Sequence, residues 1–387
     1  MTKQAPDQSA RNQLIAQQFG LDEELIYLNH AALGPWPEVT VRAMHEFTRQ
    51  VSKRGCSDVE IWKRTEREAR QAFAALINAP SAADISLLKN TSEALSTIAN
   101  GIAWRRGDNI VLPTEEFPSN RMMWDQLAGK GVVIRHVKTH GEADPESRLL
   151  DCVDQRTRVV TVSAVHYGNG LRLDVQRLGR ELAGHDCLFC IDAIQQLGAV
   201  PLDVQLCHAD VVACGVHKWL LAPEGTAMLY TRAERRAEIS MSQWGWRALA
   251  RPLDLAPDRW QIAKDARRYE SGSHNTLGLT GTTASINLLL TIGIEHIAEH
   301  LWSLGDQLIA GFESMGHIVA TPQERARRAG IIAIKLPHPN RVVKQMAAQN
   351  VVLAARDRLL RIAPHIHNRP AQLDQLLSVL GAMKSAS

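Results

Sequence analysis

Two apolar runs with strand character lie near the middle of the 387-residue chain and constrain its fold more than any other feature. The first run, 187–191, leads directly into Asp192, and the second, 210–214, is followed closely by Lys218. Strand-like and helix-like segments alternate through 85–231, which predicts a mostly parallel sheet with helices on both faces. Residues just past the carboxyl ends of parallel strands face the ligand-binding crevice. We therefore expect Asp192 and Lys218 to face one crevice.

A carboxylate and a lysine in one crevice suit pyridoxal phosphate. This cofactor needs a lysine for a Schiff base and an acid that keeps its ring nitrogen protonated. A doubly wound nucleotide-binding enzyme would show the same alternation of strands and helices, but the chain contains neither a G-x-G-x-x-G segment nor a P-loop.

The spacing of these residues also matches a known pattern. Asp192 and Gln195 form D-x-x-Q, and the pair His217-Lys218 follows, with the lysine 26 positions after Asp192. The stretch resembles the class V aminotransferase family of fold-type I pyridoxal-phosphate enzymes. That family includes aminotransferases, cysteine desulfurases, selenocysteine lyase, kynureninase and isopenicillin-N-epimerase-like proteins. The resemblance runs from about Tyr27 to about Leu377.

The resemblance implies an α/β fold with two domains. The large cofactor-binding domain, 20–278, would contain a mostly parallel sheet flanked by helices. The smaller C-terminal α/β domain would comprise 279–387 together with the N-terminal residues 1–19.

The resemblance also assigns roles to the central residues. Lys218 would hold the cofactor and then act as the base at the substrate Cα, and Asp192 would keep the ring nitrogen protonated. Gln195 would hydrogen-bond the phenolate side of the ring, and His217 would contact the phosphate or the ring. Relatives often have a serine three residues before the lysine. This chain has Gly215 there, which offers only its backbone N–H to the phosphate.

A second phosphate contact is predicted where a strand runs into a helix near residue 90. Asn90 is a good N-cap residue, with Glu93 placed to complete a capping box. A helix N-terminus is a favourable anion site, because its free N–H groups and its dipole attract a phosphate. The resemblance assigns this contact to Thr91 and Ser92.

Three further cofactor contacts follow from the resemblance. Phe117 lies where the family has the aromatic group that stacks on the pyridine ring. Tyr167 lies where relatives place an asparagine near the phenolate, so it is a candidate for that contact. Ser273, in the segment RRYESGSHN, matches a hydroxyl that reaches the partner subunit's phosphate site, which implies a homodimer.

The substrate side is assigned to three residues. Asn29 and His30 lie in a turn-rich segment that resembles the loop lining the substrate face of the cofactor, although they would equally serve to fix the turn. Arg361 matches the family position that clamps the substrate α-carboxylate, and its planar guanidinium suits bidentate binding. The tryptophans of the segment 242–275 are compatible with a gate over the pocket or with packing anchors.

The composition of the chain limits the binding partners and the cellular compartment that we expect. A net charge of +3 favours neither nucleic acid nor an anionic membrane. No apolar run approaches a membrane span, and no export signal is visible, so we expect a cytoplasmic protein without a membrane partner. The cysteines show no zinc-finger spacing, so no metal is predicted, and Cys187-x-x-Cys190 is interpreted as two small apolar residues of a strand.

The reaction type depends partly on an absence. Desulfurases of the family use a cysteine in the C-terminal part, but the last cysteine here is Cys214. Without that thiolate, desulfuration through a persulfide is not expected. Amino-group transfer, elimination at Cβ such as C–S cleavage, and epimerisation remain, as does a non-catalytic binding protein. We favour an aminotransferase acting on an amino acid, because transfer needs only the lysine, the ring acid and the carboxylate clamp.

Overall fold

The computed structural model of the protein describes residues 7–254 and 256–385. Its strands, in chain order, are β1 Ile26–Tyr27, β2 Ile85–Leu88, β3 Asn109–Pro113, β4 Val133–Val137, β5 Thr157–Ser163, β6 Leu188–Asp192, β7 Val211–Gly215, β8 Ala227–Thr231, β9 Ile332–Lys335, β10 Val351–Val352, β11 Ala354–Arg356 and β12 Leu359–Ile362. Its helices are α1 Gln8–Gln18, α2 Glu38–Arg54, α3 Val59–Leu76, α4 Thr91–Gly101, α5 Met122–Asp125, α6 Pro145–Leu150, α7 Val175–Leu182, α8 Thr276–Ile292, α9 Ile294–Ser314, α10 Pro339–Ala347 and α11 Pro370–Ser385.

A seven-stranded sheet forms the centre of the molecule, in the order β2-β8-β7-β6-β5-β3-β4. The strands from β7 to β4 are parallel to one another, and β8 runs antiparallel to both of its neighbours. This arrangement confirms the predicted α/β fold with a mostly parallel sheet.

The central strands β6 and β7 are buried on both faces of the sheet, which explains why they are continuous apolar runs in the sequence. Side chains of β6 alternate between two apolar clusters: Phe189 and Ile191 belong to one, and Leu188 and Cys190 to the other. Cys187 and Cys190 are both buried and unpaired, which agrees with their interpretation as packed strand residues.

Two long helical patterns in the sequence are interrupted at glycines with positive φ. The pattern from 38 to 79 divides into α2 and α3, and Gly55 ends α2 with φ 53°. The helical pattern from 279 to about 315 divides into α8 and α9 at Gly293, which has φ 95°. No single helix in the described residues is long and apolar enough to cross a membrane; α8 and α9 pass such a test only together, across a 76° bend.

The C-terminal part contains a three-stranded antiparallel sheet in the order β11-β12-β9. Just before β12, the chain forms two short strands: β10 pairs with β1, and β11 joins this sheet. Side chains of α9, α10 and α11 cover the sheet and form one apolar cluster with it.

Two elements pack across the predicted domain boundary at 278. Helix α8 contacts α2 and α3 beside the large sheet, whereas β1 pairs with β10 of the C-terminal part. The domain limits therefore stay a prediction. Residues 1–6, 255, 386 and 387 of the predicted domains lie outside the described residues.

Candidate active site

The carboxyl ends of β6 and β7 bring Asp192 and Lys218 to the same edge of the central sheet. Asp192 is the last residue of β6, and Lys218 follows shortly after β7 ends. The two strands are parallel neighbours, and Asp192 is paired with Ala213. Each of the two charges affects the pKa of the other group. The two residues therefore lie at the same edge of the sheet, as expected, and the shared ligand crevice stays a prediction.

A glycine holds the backbone of the lysine segment in place. The N–H of Gly34 donates to the carbonyl oxygen of His217 at 2.8 Å. A Cβ atom on Gly34 would lie 2.3 Å from the carbonyl oxygen of Lys218, which is closer than any side chain allows. The loop that precedes α2 can therefore pack against Lys218 only with glycine at this position.

The environment of Lys218 favours a neutral amine. Burial lowers the pKa of Lys218 to about 8, while Asp192 raises it and the guanidinium groups of Arg361 and Arg356 lower it. At pH 7 roughly a tenth of such amines are unprotonated. A neutral amine is the form that reacts with an aldehyde and that accepts a proton.

Asp192 is a buried carboxylate, with 3% of its surface exposed. Its Oδ1 accepts a hydrogen bond from the N–H of Ile194 at 3.0 Å. Burial raises the pKa of Asp192 to about 6, although this hydrogen bond and Lys218 lower it. The group is thus ionised at neutral pH, and a cation next to it would gain strongly from the low polarity of the site.

A second buried carboxyl group, which the sequence analysis did not identify, lies near Asp192. Glu116 accepts hydrogen bonds from the N–H and the hydroxyl of Ser163, the residue paired with Asp192 on β5. Burial, with a smaller effect of the charge of Asp192, raises the pKa of Glu116 to about 8, although the hydrogen bonds from Ser163 lower it. Glu116 therefore fixes the end of β5 beside Asp192 as a mostly neutral acid at pH 7.

One aromatic ring, that of Phe117, lies beside the lysine, and a second, that of Tyr167, packs against it. The ring centroid of Phe117 lies 5.7 Å from Nζ of Lys218, and 41% of Phe117 is exposed. The ring of Tyr167 meets that of Phe117 edge to face, at 5.2 Å between centroids. The hydroxyl of Tyr167 donates to Asp357 at 2.8 Å, and burial together with this hydrogen bond raises the pKa of Tyr167 to about 12. Phe117 is thus an exposed flat surface next to the lysine, and its stacking on a cofactor ring stays a prediction.

The N-terminus of α4 has the predicted cap. Oδ1 of Asn90 accepts from the N–H of Glu93 at 2.8 Å, and the carboxylate of Glu93 accepts from the N–H of Lys89 at 2.7 Å. In a capping box the carboxylate of Glu93 would accept from the N–H of Asn90. Here it accepts from the residue before, Lys89. The exposed hydroxyl of Ser92 donates to that of Ser119 at 2.7 Å.

The predicted phosphate contact of Gly215 is wrong. Its backbone N–H donates to Oγ1 of Thr91 at 2.8 Å, so it is not available to a phosphate. Because Thr91 is buried, this bond joins the first turn of α4 to the end of β7. His217, next to the lysine, is half-buried, and burial together with the charge of Lys218 lowers its pKa.

Arg361 and Asn29 lie together on the substrate side. The guanidinium of Arg361 donates to the carbonyl oxygen of Tyr167 at 2.7 Å and to Oδ1 of Asn29 at 3.4 Å. Its Nε atom is buried without a hydrogen-bond partner in the described part of the chain. Burial and the charge of Arg356 lower the pKa of Arg361 to about 10. A buried cation with an unused donor is a suitable carboxylate site.

The prediction that His30 contacts the substrate is wrong, because His30 has no exposed surface. Its Nδ1 lies 2.8 Å from the carbonyl oxygen of Ala363, and its ring packs against His365 and His367. Burial and these two histidines hold the pKa of His30 well below its usual range. The alternative interpretation, that His30 fixes the turn, agrees with these contacts.

Gln195 is also buried, and both ends of its amide have partners. Its Nε2 donates to the carbonyl oxygen of Ala31 at 3.0 Å, and its Oε1 accepts from the indole N–H of Trp219 at 2.8 Å. One amide hydrogen is left for the predicted contact with the phenolate, which stays a prediction. These two hydrogen bonds link the loop that contains Ala31 to Trp219, the residue after Lys218.

Ser273 lies on an exposed segment that a buried ion pair anchors. Glu270 pairs with Arg70 and accepts from the N–H of Leu87 at 2.9 Å and from Nε2 of His274 at 3.1 Å. Burial alone would raise the pKa of Glu270, but Arg70 and His274 lower it to about 2. The contact of Ser273 with a partner subunit's phosphate site stays a prediction.

These side chains fit pyridoxal phosphate in their chemistry. They include a lysine with a lowered pKa, a buried carboxylate on the neighbouring strand, an exposed aromatic ring and a capped helix N-terminus. In contrast, no group of three or more histidine, cysteine or acidic residues that could hold a metal ion occurs among the described residues.

Comparisons with known proteins identify the family that the sequence pattern resembles. The family model for class-V aminotransferases matches residues 26–357. The chain is 33% identical over 314 residues to a protein of Methanothermobacter thermautotrophicus named probable cysteine desulfurase, covering 80% of this chain and 77% of that one.

Two solved structures share the fold. A cysteine desulfurase from Thermococcus onnurineus, in its apo form, superimposes over 100% of both chains with a TM-score of 0.89 and 22% identity. A complex of the cystine C–S lyase C-DES with its reaction product, cysteine persulfide, matches 93% of this chain and 98% of that one, with a TM-score of 0.85 and 21% identity.

Proposed function

Since the chain belongs to the class-V aminotransferase family of pyridoxal-phosphate enzymes, we propose that Lys218, Asp192 and Arg361 act together on the amino group of an amino acid. The observation that carries this proposal is the position of the half-buried Lys218 and the buried Asp192 at the ends of β7 and β6. We propose amino-group transfer as the reaction.

Lys218 would hold the cofactor and then move the proton at Cα. Its lowered pKa leaves an appreciable neutral fraction at pH 7, which both tasks need. Asp192 would hold a proton on the cofactor's ring nitrogen, because its buried negative charge raises the pKa of an adjacent base. When bound, pyridoxal phosphate supplies a ring that accepts the electrons left at Cα.

Arg361 would orient the substrate through its α-carboxylate, with Asn29 steadying the guanidinium from 3.4 Å. Phe117 would pack on the cofactor ring, and its exposed surface next to Lys218 supports that role. Ser92 and the N-terminus of α4 would receive the phosphate.

Four of the six thiols of the chain support transfer over desulfuration. The buried Cys187, Cys190, Cys207 and Cys214 have raised pKa values because burial disfavours the thiolate. A persulfide forms on a reactive thiolate. These four buried thiols stay protonated at neutral pH and are therefore poor nucleophiles. No cysteine follows Cys214 in the sequence.

Elimination at Cβ with C–S cleavage is the second candidate. It uses the same lysine and carboxylate and needs no protein thiol. The likeness to a cystine C–S lyase and to a probable cysteine desulfurase favours it over epimerisation.

Incubation of the loaded enzyme with single amino acids and no keto acid separates the two reactions. Amino-group transfer releases about one keto acid per active site and then stops, and a keto acid added later restarts it. Continuous release of ammonia or of a thiol would show a lyase and refute the transfer.

We further infer that the protein works as a cytoplasmic homodimer. Val59, Trp246 and Leu253 are exposed and line one cavity together with Ser273. A second subunit covering this apolar surface would meet Ser273 in the same contact. The six free cysteines agree with a reducing compartment.

A further inference from the structure

The hairpin formed by β11 and β12 carries two arginines on one face. Arg361 is paired with Ala354, and Arg356 is paired with Leu359. Residues opposite each other in an antiparallel pair point to the same side, as do residues two apart on one strand. Arg356 and Arg361 are therefore diagonal neighbours, with separations of about 7–8 Å typical of such positions.

This face of the hairpin is directed at the active-site cleft. Arg361 donates to the carbonyl oxygen of Tyr167, and Asp357, the residue after Arg356, accepts from the hydroxyl of the same tyrosine. Both guanidinium groups also lower the pKa of Lys218. Arg356 thus lies on the same face of the hairpin as Arg361 and close enough to Lys218 for its charge to act on that amine.

Neither guanidinium has a carboxylate partner within 7–254 and 256–385. In the part of the chain that the structure describes, Arg356 makes one side-chain hydrogen bond, to the carbonyl oxygen of Ala355, and neither Arg356 nor Arg361 forms an ion pair. Arg356 is exposed, so its planar fork of donors is free to bind an anion. The α-carboxylate of an amino acid would occupy Arg361 alone.

We infer that Arg356 binds a second carboxylate, so that the preferred substrate is an amino acid with an acidic side chain. This inference rests on the function proposed above, in which Arg361 clamps the α-carboxylate. Two negative groups on the substrate would match two uncompensated arginines that otherwise repel each other.

The test measures the equilibrium binding of diacids that lack an amino group, so it does not depend on turnover. Succinate and glutarate are titrated calorimetrically into the loaded enzyme and compared with their mono-amides, succinamate and glutaramate, which keep the shape and lose one charge. For at least one chain length the wild type should bind the diacid about tenfold or more tightly than its amide.

Two variants localise the effect. Arg356→Gln should reduce the preference for the diacid to within about threefold while leaving binding of the amide nearly unchanged. Arg358→Gln removes the same charge from the same turn, but Arg358 lines a different cavity, with Pro337 and His338. This control should keep the wild-type preference, and Arg356→Lys should keep part of it.

Several results would overturn the inference. One is a wild type that shows no diacid preference at either chain length. Another is an Arg356→Gln variant in which the binding of the diacid and of its amide is weakened equally. Arg356 would then share the α-carboxylate with Arg361. A third is loss of the preference in Arg358→Gln. Borohydride reduction of the same samples separates this failure from a failure of the proposed function, because only the latter predicts no cofactor on Lys218.

Discussion

Raising the pH of the cofactor-free protein through 8 should convert Lys218 from the protonated to the neutral amine. The cause is burial, which lowers the pKa of this lysine from the usual 10.5 to about 8 despite the opposing effect of Asp192. At pH 7 the neutral fraction is then roughly 9%, against about 0.03% for an ordinary lysine. The difference, about 300-fold, is available both for attachment of the cofactor and for proton transfer at Cα.

Two substitutions should move this midpoint in opposite directions. Asp192→Asn removes the carboxylate that stabilises the protonated amine, so the midpoint should fall below that of the wild type. Arg361→Gln removes a cation that destabilises it, so the midpoint should rise. Arg358→Gln, on the far side of the hairpin turn, serves as the matched control and should leave the midpoint unchanged.

Competitive labelling with trace acetic anhydride measures the midpoint directly. Each lysine peptide is quantified by mass spectrometry across pH 6 to 11, and circular dichroism verifies that the variants are folded. A wild-type midpoint near 10.5 would refute the reasoning. So would shifts of the same sign in Asp192→Asn and Arg361→Gln, since the two charges act in opposite senses.

Three further outcomes are expected. Asp192→Ala should still bind the cofactor but lose turnover on the order of 100-fold or more, because the ring nitrogen loses its counter-ion; near-normal kcat would exclude this role. Mixing inactive Lys218→Ala with an inactive Ser273→Ala should restore about a quarter of wild-type activity if Ser273 serves the partner's site, since half of a random mixture is heterodimer with one intact site; a strictly monomeric, active enzyme would contradict the shared site. After treatment with cysteine, mass spectrometry should find no protein-bound persulfide, and Cys214→Ser should keep wild-type turnover, because that thiol is buried; a persulfide on any cysteine would overturn the assignment.

The centre of the fold was predictable because its signals are local. Asp192 and Lys218 each follow an apolar run, and parallel strands place such residues at one edge of a sheet. The cap of α4 was equally readable, because Asn90 and Glu93 stand at the required spacing. Such features depend on a few neighbouring residues and on general rules of sheet topology.

The predictions that were wrong concern residues whose contacts come from segments distant in the sequence. The N–H of Gly215 is taken by Thr91, which is 124 positions away, and His30 is enclosed by residues near 365. The position of Arg356 depends on the register of a hairpin whose turn, at Asp357 and Arg358, adopts positive φ without glycine. No periodicity in the sequence marks that turn, so Arg356 was not identified as a site residue.

The most direct test of the assignment of Lys218 is to identify the lysine to which borohydride fixes the cofactor. The loaded protein is reduced with borohydride, digested, and every lysine peptide is mapped by mass spectrometry. The lysine–carboxylate arrangement at β6 and β7 predicts one cofactor per chain, fixed to Lys218, and none in Lys218→Ala. Cofactor fixed to any other lysine of the wild type, or to none, would contradict it.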